Sequence, residues 1–258
     1  MALYAKYYSM HIKSQMQYKT SFFFSTLGQF LVSFATFLSI HFMFMRFDSV
    51  GGFTYEEVLI CFAFLMLSFS IAELFGRGFD RFPVILGNGN FDRILVRPRN
   101  TVFQVLASQM DFSRLGRFIQ AGLILIYALP RSGIDWTIDR IFTFILMILC
   151  AVILFFALFV MYAAFSFFTI EGLEFMNILT DGSREHGRLP FGVYGDGVLK
   201  FLTYIVPLAL VQYYPLLYQI GREENFLYAL MPLLSLLFLI PCYLFFRYGL
   251  KKYRSTGS

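Results

Sequence analysis

Residues 141–170 read IFTFILMILCAVILFFALFVMYAAFSFFTI, a stretch without one charged side chain. A helix of about 20 apolar residues crosses the ~30 Å hydrocarbon layer of a bilayer. This stretch is therefore long enough to cross a membrane with a tilt, or to extend beyond it. It predicts a membrane-spanning helix.

The composition of the whole chain also indicates a membrane protein. Of its 258 residues, 58% are hydrophobic and 14% are charged, and the mean hydropathy is +0.66. Soluble domains carry about 25% charged residues, so this chain has too little polar surface to cover a soluble particle. We predict an all-α, polytopic transmembrane helical bundle that forms a single domain, residues 1–258, without a nucleic-acid partner.

Further apolar runs on both sides of residues 141–170 bring the simplest count to six spans. They lie at residues 22–45, 58–75, 118–129, 198–217 and 226–246. The run at 118–129 is short for a crossing. It reaches spanning length if the helix begins near Leu106 and includes the charged residues at its base.

Lysine and arginine are distributed unevenly between the two sides of the predicted bundle. They concentrate in the N-terminal segment, in residues 77–117 and after residue 246, whereas the loops on the other side carry Arg46, Arg131, Arg140 and Arg222. Short cytoplasmic loops are enriched in Lys and Arg. Both termini and the loop between the second and third spans are therefore predicted to be cytoplasmic.

The stretch 171–200 has two interpretations, because it combines several charges with several glycines. Hydropathy predicts a cytoplasmic loop that leads into a fifth span at 198–217. Alternatively, residues 173–190, with Arg184 and Glu185, form a polar fifth span. The following residues up to 217, with Pro207 and Pro215, are then a re-entrant hairpin on the outer side. Polar backbone at membrane depth requires cover by protein or water, and both interpretations stay open here.

Residues 1–20 predict an amphipathic helix at the membrane surface. Its apolar and aromatic residues fall on one broad face, with lysines interleaved: Leu3, Tyr4, Tyr7, Tyr8 and Ile12, and Lys6, Lys13 and Lys19. Tyrosine suits the headgroup layer and lysine suits anionic lipid. The helix either leads into the first span only or also contacts a cytoplasmic partner.

Residues that catalyse reactions or bind metals do not cluster in this sequence. The histidines are isolated and each cysteine lies in an apolar block: His11, His41, His186, Cys61, Cys150 and Cys242. Ser183 lies near His186 but outside any nucleophile-elbow motif. The chain also lacks a glycine-rich phosphate-binding loop. We therefore predict no catalytic residue, no metal site and no cofactor in this chain.

Charged residues gather at the cytoplasmic ends of the second and third spans. Glu73 and Arg77 are four residues apart, and Asp111 and Arg114 are three apart, so each pair can form an ion pair on a helix. Arg117 follows one turn later. These residues are either satisfied interfacial pairs with snorkelling arginines, or a gate that binds the charged group of a substrate.

The cytoplasmic loop at residues 77–100 contains a short amphipathic helix. The helix begins after a turn signal at Asn88-Gly89 and ends at Pro98. Apolar residues spaced three and four apart form one face: Phe91, Ile94 and Leu95. Because such a loop helix has no core of its own chain to pack against, we expect it to lie on the bilayer or in a partner's groove.

The run from Gly89 to Arg99, GNFDRILVRPR, resembles the coupling-loop signature of type-2 ABC exporter permeases. In that family a glycine, an apolar residue, an acidic residue, a leucine pair and a proline recur in this order between spans two and three. The stretches 167–177 (FFTIEGLEFMN) and 204–215 (YIVPLALVQYYP) resemble a bacterial branch of the same family. The resemblance covers nearly the whole chain.

The resemblance implies a six-span permease that pairs with a second permease chain, identical or related, on two cytoplasmic ATPase subunits that bind ATP and magnesium. It implies export of an amphiphilic drug, lipid or peptide by alternating access across the bacterial cytoplasmic membrane. It also implies a re-entrant outer hairpin before the last span. The residues implied in ATPase coupling are Gly89, Phe91, Asp92, Arg93, Ile94, Leu95, Arg97 and Pro98.

Two other functions are alternatives to export driven by ATP. An ion-coupled secondary transporter favours inverted repeats and charges at mid-membrane, but the sequence has no internal repeat and most charges lie at the span ends. A lipid-modifying membrane enzyme needs an interfacial cluster of His, Asp or Glu, for which residues 181–188 are the candidate.

Overall fold

The computed structural model describes residues 2–169 and 174–254, which form helices joined by turns and short loops. Three short 3₁₀ turns, Phe112–Arg114, Leu129–Arg131 and Phe191–Tyr194, lie between helices, and a fourth joins the last two. The helices are α1 (Ala2–Met16), α2 (Lys19–Phe44), α3 (Tyr55–Asp80), α4 (Phe82–Gly87), α5 (Asn90–Leu95), α6 (Thr101–Ser108), α7 (Leu115–Ala128), α8 (Ile138–Phe165), α9 (Glu174–Leu179), α10 (Asp181–His186), α11 (Asp196–Tyr204), α12 (Leu208–Val211), α13 (Tyr213–Gln219), α14 (Phe226–Ser235) and α15 (Leu239–Lys252).

Within the described residues, five helical stretches are long and apolar enough to cross a membrane. They are Lys19–Phe44, Tyr55–Gly87, Phe112–Arg131, Ile138–Phe165 and Phe226–Lys252. A sixth candidate is a bent pair, Asp196–Tyr204 with Leu208–Gln219, whose two arms meet at 89°. The prediction of an all-α polytopic bundle is confirmed.

The loops gather at two ends of the bundle. One end, called the terminal end below, carries α1, the short helices α4 to α6 and Tyr253, which follows α15 and whose hydroxyl donates to Asp92 (3.0 Å). The other end, called the opposite end, carries the loops before α3, before α8 and before α14. There Arg222 bonds the Glu57 carboxylate (3.0 Å) and the Gly52 carbonyl (2.6 Å).

Helix α3 forms the centre of the bundle and packs against α7 on one side and α8 on another. The Phe69 ring meets the rings of Phe155 and Phe159 edge to face, with centroids 5.0 and 5.9 Å away. Because lipid is as apolar as these side chains, close packing rather than escape from water stabilises such contacts. By contrast, the apolar part of α2 is only 11% buried, so most of its surface is left uncovered by this chain.

The third span begins later than the sequence predicted. An extension of the helix back to Leu106 is wrong, because α6 ends at Ser108 and Gln109 is extended. Asp111 then caps a new helical turn, since its carboxylate accepts from the backbone N–H and the hydroxyl of Ser113 (3.1 and 2.6 Å). An aspartate that caps a helix start interrupts an otherwise continuous apolar pattern.

The segment from α10 to residue 193 runs alongside α3 towards the opposite end. The Arg184 guanidinium lies 5.3 Å from the Phe69 ring centroid, and the Cys61 thiol donates to the Gly187 carbonyl (3.7 Å). Further along, Val193 packs against Gly51. Successive contacts along α3 are those expected of a chain that traverses the bundle. Residues 170–173, where the predicted polar span begins, lie outside the described residues.

The side chain of Gln212 forms hydrogen bonds with backbone groups in the non-helical part of this traversing segment. Its side-chain amide donates to the carbonyls of Gly187 (2.8 Å) and Leu189 (3.2 Å) and accepts from the Phe191 N–H (3.0 Å). Gln212 is fully buried. Non-helical backbone at membrane depth is tolerated where other parts of the protein bond it, and Gln212 meets that condition.

The bent pair α11 with α12–α13 enters the bundle and returns to the same end. The pair begins shortly after Val193, which packs on Gly51 in the loop before α3. It ends at Gln219, whose side chain donates to the carbonyl of Arg140 at the start of α8 (2.7 Å). Both contacts lie at the opposite end. Pro207 lies at the bend. Of the two interpretations of residues 171–217, these contacts favour a polar traverse followed by a re-entrant hairpin over a loop followed by one fifth span.

Helix α1 docks on the chain's own α6 and on the start of the third span. The His11 ring nitrogen Nε2 lies 3.0 Å from the Ala107 carbonyl oxygen. The Gln15 side chain donates to the Met110 carbonyl (2.6 Å) and accepts from the Phe112 N–H (3.1 Å). The Tyr8 ring stacks on Phe75. The apolar face of the predicted surface helix therefore packs against this chain.

Candidate functional site

A buried network of ion pairs joins the terminal ends of α3 and α7. Its members, called the Glu73 cluster below, are Glu73, Arg77, Asp80, Asp111, Arg114 and Arg117. Glu73 is 3% exposed. Its carboxylate lies 3.0 Å from Arg117 Nη1, 3.2 Å from Arg77 Nη1 and 3.4 Å from Arg114 Nε.

Two further carboxylates of the cluster, those of Asp80 and Asp111, balance the positive charge of its arginines. Asp111 Oδ2 lies 3.3 Å from Arg114 Nε and 4.0 Å from Arg77 Nε, and Asp80 pairs with Arg77. Burial would raise the pKa of Asp111, but the Ser113 hydrogen bonds and the Arg114 charge hold that pKa below its usual value. Three carboxylates thus face three guanidiniums, which lets a largely buried site hold so many charges.

The cluster also reaches two neighbouring elements. Arg114 Nη1 donates to Gln29 Oε1 of α2 (2.9 Å). Arg184 of α10 lies close enough for its charge to act on Glu73 and Arg117, and it pairs with Asp181 (3.5 Å). The predicted local pairs, Glu73 with Arg77 and Asp111 with Arg114, are present. The pairs that join different helices were not predicted, because they depend on which helices become neighbours.

The short helix α5 is anchored from inside by aromatic rings. Phe91 is fully buried, and its ring lies 5.0 Å from those of Phe82 and Tyr253 and 5.6 Å from that of Phe167. The expectation that this helix has no core of its own chain to pack against is therefore wrong. The ends of α8 and α15 converge beneath α5 and supply that core.

The outer side of α5 and the residues after it form an exposed surface with apolar and basic groups. This coupling surface consists of Arg93, Leu95, Val96, Arg97, Pro98 and Arg99. Val96 is 82% exposed and Leu95 is 41% exposed. Ile94 faces inward with Phe91, and Asp92 accepts a hydrogen bond from Tyr253.

The coupling surface is fixed to the spans through α6 and the turn before α5. The Gln104 amide donates to the carbonyls of Ile94 (3.1 Å) and Arg99 (3.0 Å). Gly78 of α3 lies so close to the Val105 carbonyl that a Cβ would approach it to 1.8 Å. Gly89 immediately precedes α5 and has φ 67°, a left-handed conformation that glycine adopts without strain.

A third polar feature lies at mid-depth of the bundle. The polar flank consists of Arg184, Glu185, His186 and Arg188, near the level of Cys61 to Phe69 on α3. Arg188 and Glu185 pair at 2.8 Å, with side chains 35% and 38% exposed. Within residues 2–169 and 174–254, no group of three or more His, Cys, Asp or Glu side chains is placed to hold a metal ion.

Several helices long and apolar enough to cross a bilayer define a multi-pass membrane protein. The family described as "ABC-2 family transporter protein" matches residues 30–257. The chain belongs to this family, and is thus a membrane permease of an ABC transporter. Neither a curated protein nor a solved structure matches the chain.

Proposed function

We propose that this chain is the permease subunit of an ATP-driven exporter, which moves an amphiphilic substrate (a drug, lipid or peptide) out across the bacterial cytoplasmic membrane by alternating access. In this proposal the chain pairs with a second permease, identical or related. Two ATPase subunits bind the pair from the cytoplasm and hold the ATP and magnesium. The chain itself performs no chemistry.

The charge distribution supports a cytoplasmic location for the terminal end. That end carries the arginines of the coupling surface and the lysines of α1 and α15, whereas the opposite end carries Arg222 paired with Glu57. Positive loops face the cytoplasm in most membrane proteins. Both termini are then inside, and the re-entrant hairpin opens to the outside.

The construction of α5 is the observation that carries the proposal. Its buried face, Phe91 and Ile94, is held by the chain's own core, and its outer face presents Leu95 and Val96 to solvent. Exposed apolar side chains within a basic rim are typical of a docking surface. Of the residues implied in coupling, Arg93, Leu95, Arg97 and Pro98 would contact the ATPase. Gly89, Phe91, Asp92 and Ile94 would position that surface.

A displacement of the coupling surface can be transmitted to the spans through two chains of contacts. It passes from Phe91 to Phe82, whose ring meets Phe246 of the last span at 5.7 Å. It also passes through α6, which touches α3 at Gly78. The Phe246 ring in turn meets that of Phe79 on α3 at 5.7 Å, so both routes reach the helix that carries Glu73, and the Glu73 cluster joins α3 to α7 and α2. We propose that this cluster is the cytoplasmic gate.

The polar flank supports a transport path on the face of the chain that carries α10. Charged side chains at membrane depth require cover by protein or by a water-filled cavity, yet Glu185 and Arg188 are more than a third exposed in the single chain. A second permease chain across this face would provide that cover. The space between the two chains would form the path of the substrate.

A paired substitution tests the docking of the ATPase. Val96→Asp places a charge in the centre of the coupling surface, and Ile138→Asp places one at a similarly exposed residue (88% against 82%) at the opposite end. We expect Val96→Asp to lose the ATPase in affinity purification from the native membrane, whereas Ile138→Asp retains it. Retention of the ATPase by both variants, or stable transport by this chain alone without ATP, would overturn the proposal.

A further inference from the structure

A groove with aromatic walls lies between α2 and α7, away from the polar flank. It has a volume of about 440 Å³ and is lined by Phe30, Phe34 and Phe37 of α2 and by Leu123 and Tyr127 of α7, with Gln120 beside them. Gly116 allows the two helices to come close where the groove ends towards the terminal end, since a Cβ at this residue would lie 2.1 Å from the Thr26 carbonyl. From this contact towards the opposite end the helices separate, and the groove lies between them.

Gln120 is a polar side chain left unsatisfied in an apolar groove. It is 2% exposed, and neither its amide nitrogen nor its amide oxygen has a hydrogen-bond partner among the described residues. A buried amide without partners is costly, and buried polar groups in proteins are normally bonded. A molecule that bonds both ends of this amide must offer a donor and an acceptor, or a hydroxyl that serves as both.

The depth of Gln120 excludes an ordinary lipid chain as that molecule. The third span begins at Phe112, so at 1.5 Å per residue Gln120 lies roughly 12 Å along it, well inside the ~30 Å hydrocarbon layer. The acyl chains of bilayer lipids carry no hydrogen-bonding group at this depth. The occupant must bring its polar group within an otherwise apolar body.

The walls of the groove favour a flat and uncharged occupant. The rings of Phe30, Phe34, Phe37 and His41 follow one another along α2 with centroid separations of 6.2, 5.7 and 6.2 Å. Such a row of rings offers offset stacking to a planar aromatic molecule. Among the described residues that line the groove there is no Asp, Glu, Lys or Arg.

We propose that this groove binds an uncharged, planar aromatic amphiphile through a hydroxyl or carbonyl group that bonds the Gln120 amide. The inference rests on the proposed function in one respect, because it identifies such molecules as substrates that enter from the bilayer. Ring stacking on α2 supplies most of the contact, and Gln120 selects for the polar group.

Binding of two matched probes to the full chain in lipid nanodiscs tests this assignment without ATP. The first probe is 3-hydroxyflavone, whose fluorescence reports hydrogen bonding, and the second is 2-phenylnaphthalene, a hydrocarbon with the same arrangement of rings and no polar atom. Gln120→Leu should weaken 3-hydroxyflavone binding about five- to tenfold, the effect of one hydrogen bond in a dry site. Its effect on 2-phenylnaphthalene should stay within about twofold.

Two tryptophan variants locate the binding. Leu123→Trp fills the groove and should abolish saturable binding of both probes, whereas Ile126→Trp, at a 73% exposed residue outside the groove, should leave both unchanged. Saturable binding that survives Leu123→Trp, or equal losses for both probes in Gln120→Leu, would overturn the assignment. Because ATP is absent, failure here leaves the ATPase-docking test unaffected, and failure of that test leaves this one standing.

Discussion

Replacing Glu73 by glutamine removes the central charge of the Glu73 cluster and leaves three guanidiniums with two carboxylates. The three shortest contacts of the Glu73 carboxylate, at 3.0, 3.2 and 3.4 Å, all go to arginines. Glutamine keeps the shape of the side chain, so no cavity forms. The change therefore isolates the charge.

The expected loss follows from the burial of the partners. Removing one member of a buried ion pair costs about 3–5 kcal/mol, because the remaining charge stays in a dry site. For a chain of this size, 1 kcal/mol corresponds to roughly 2–4 °C in the unfolding midpoint. We therefore expect Glu73→Gln to lower the midpoint by about 6–20 °C.

The native cysteines provide the assay. Cys61, Cys150 and Cys242 are buried, so a thiol-reactive dye labels them only as the chain unfolds on heating in detergent. Glu56→Gln is the matched control, because Glu56 lies on the same helix and makes no ion pair among the described residues. Equal midpoints for the two variants would refute the account of the Glu73 cluster as an ion network that stabilises the fold.

Two further predictions use the same assay. Gly116→Ala should destabilise the chain by about 1–3 kcal/mol, because the added methyl overlaps the Thr26 carbonyl; Gly122→Ala on the same helix meets open space and should be neutral or stabilising. If both variants behave alike, the close α2–α7 contact is wrong. Since the pKa of folded Asp111 lies below its unfolded value of about 3.9, its contribution is present above about pH 4 and is lost as the pH falls through the folded value. Asp111→Asn should lose less stability than the wild type on acidification below that pH, and parallel curves would contradict this.

The long spans could be predicted from the sequence because hydropathy depends only on local composition. The predicted spans 22–45 and 226–246 correspond to the observed stretches Lys19–Phe44 and Phe226–Lys252, and their ends differ by a few residues. The start of the third span was missed because Asp111 caps a new turn within a run that hydropathy reads as continuous. A cap of this kind is visible in the sequence as Asp-Phe-Ser, but competes with many similar patterns.

The candidate sites were predictable only in their local parts. The spacing of Glu73 and Arg77 predicted their ion pair, but Arg117 reaches Glu73 across 44 residues of sequence. The anchor of α5 also depends on distant residues, since Phe167 and Tyr253 meet Phe91. Likewise, Gln120 appears in the sequence as one polar residue in an apolar run, and only the packing of α2 reveals that its amide is unsatisfied.

The most direct test of ATP-driven alternating access is the ATP dependence of labelling at the polar flank. His186, an exposed member of that flank, is replaced by cysteine in a chain whose three native cysteines are changed to alanine. An impermeant maleimide is then applied to inside-out vesicles that contain the assembled transporter. We predict that trapping the ATPase with ATP and vanadate changes the labelling rate at least about tenfold, and that Val96→Asp removes this change. A labelling rate indifferent to ATP in a complex that retains its ATPase would contradict the account.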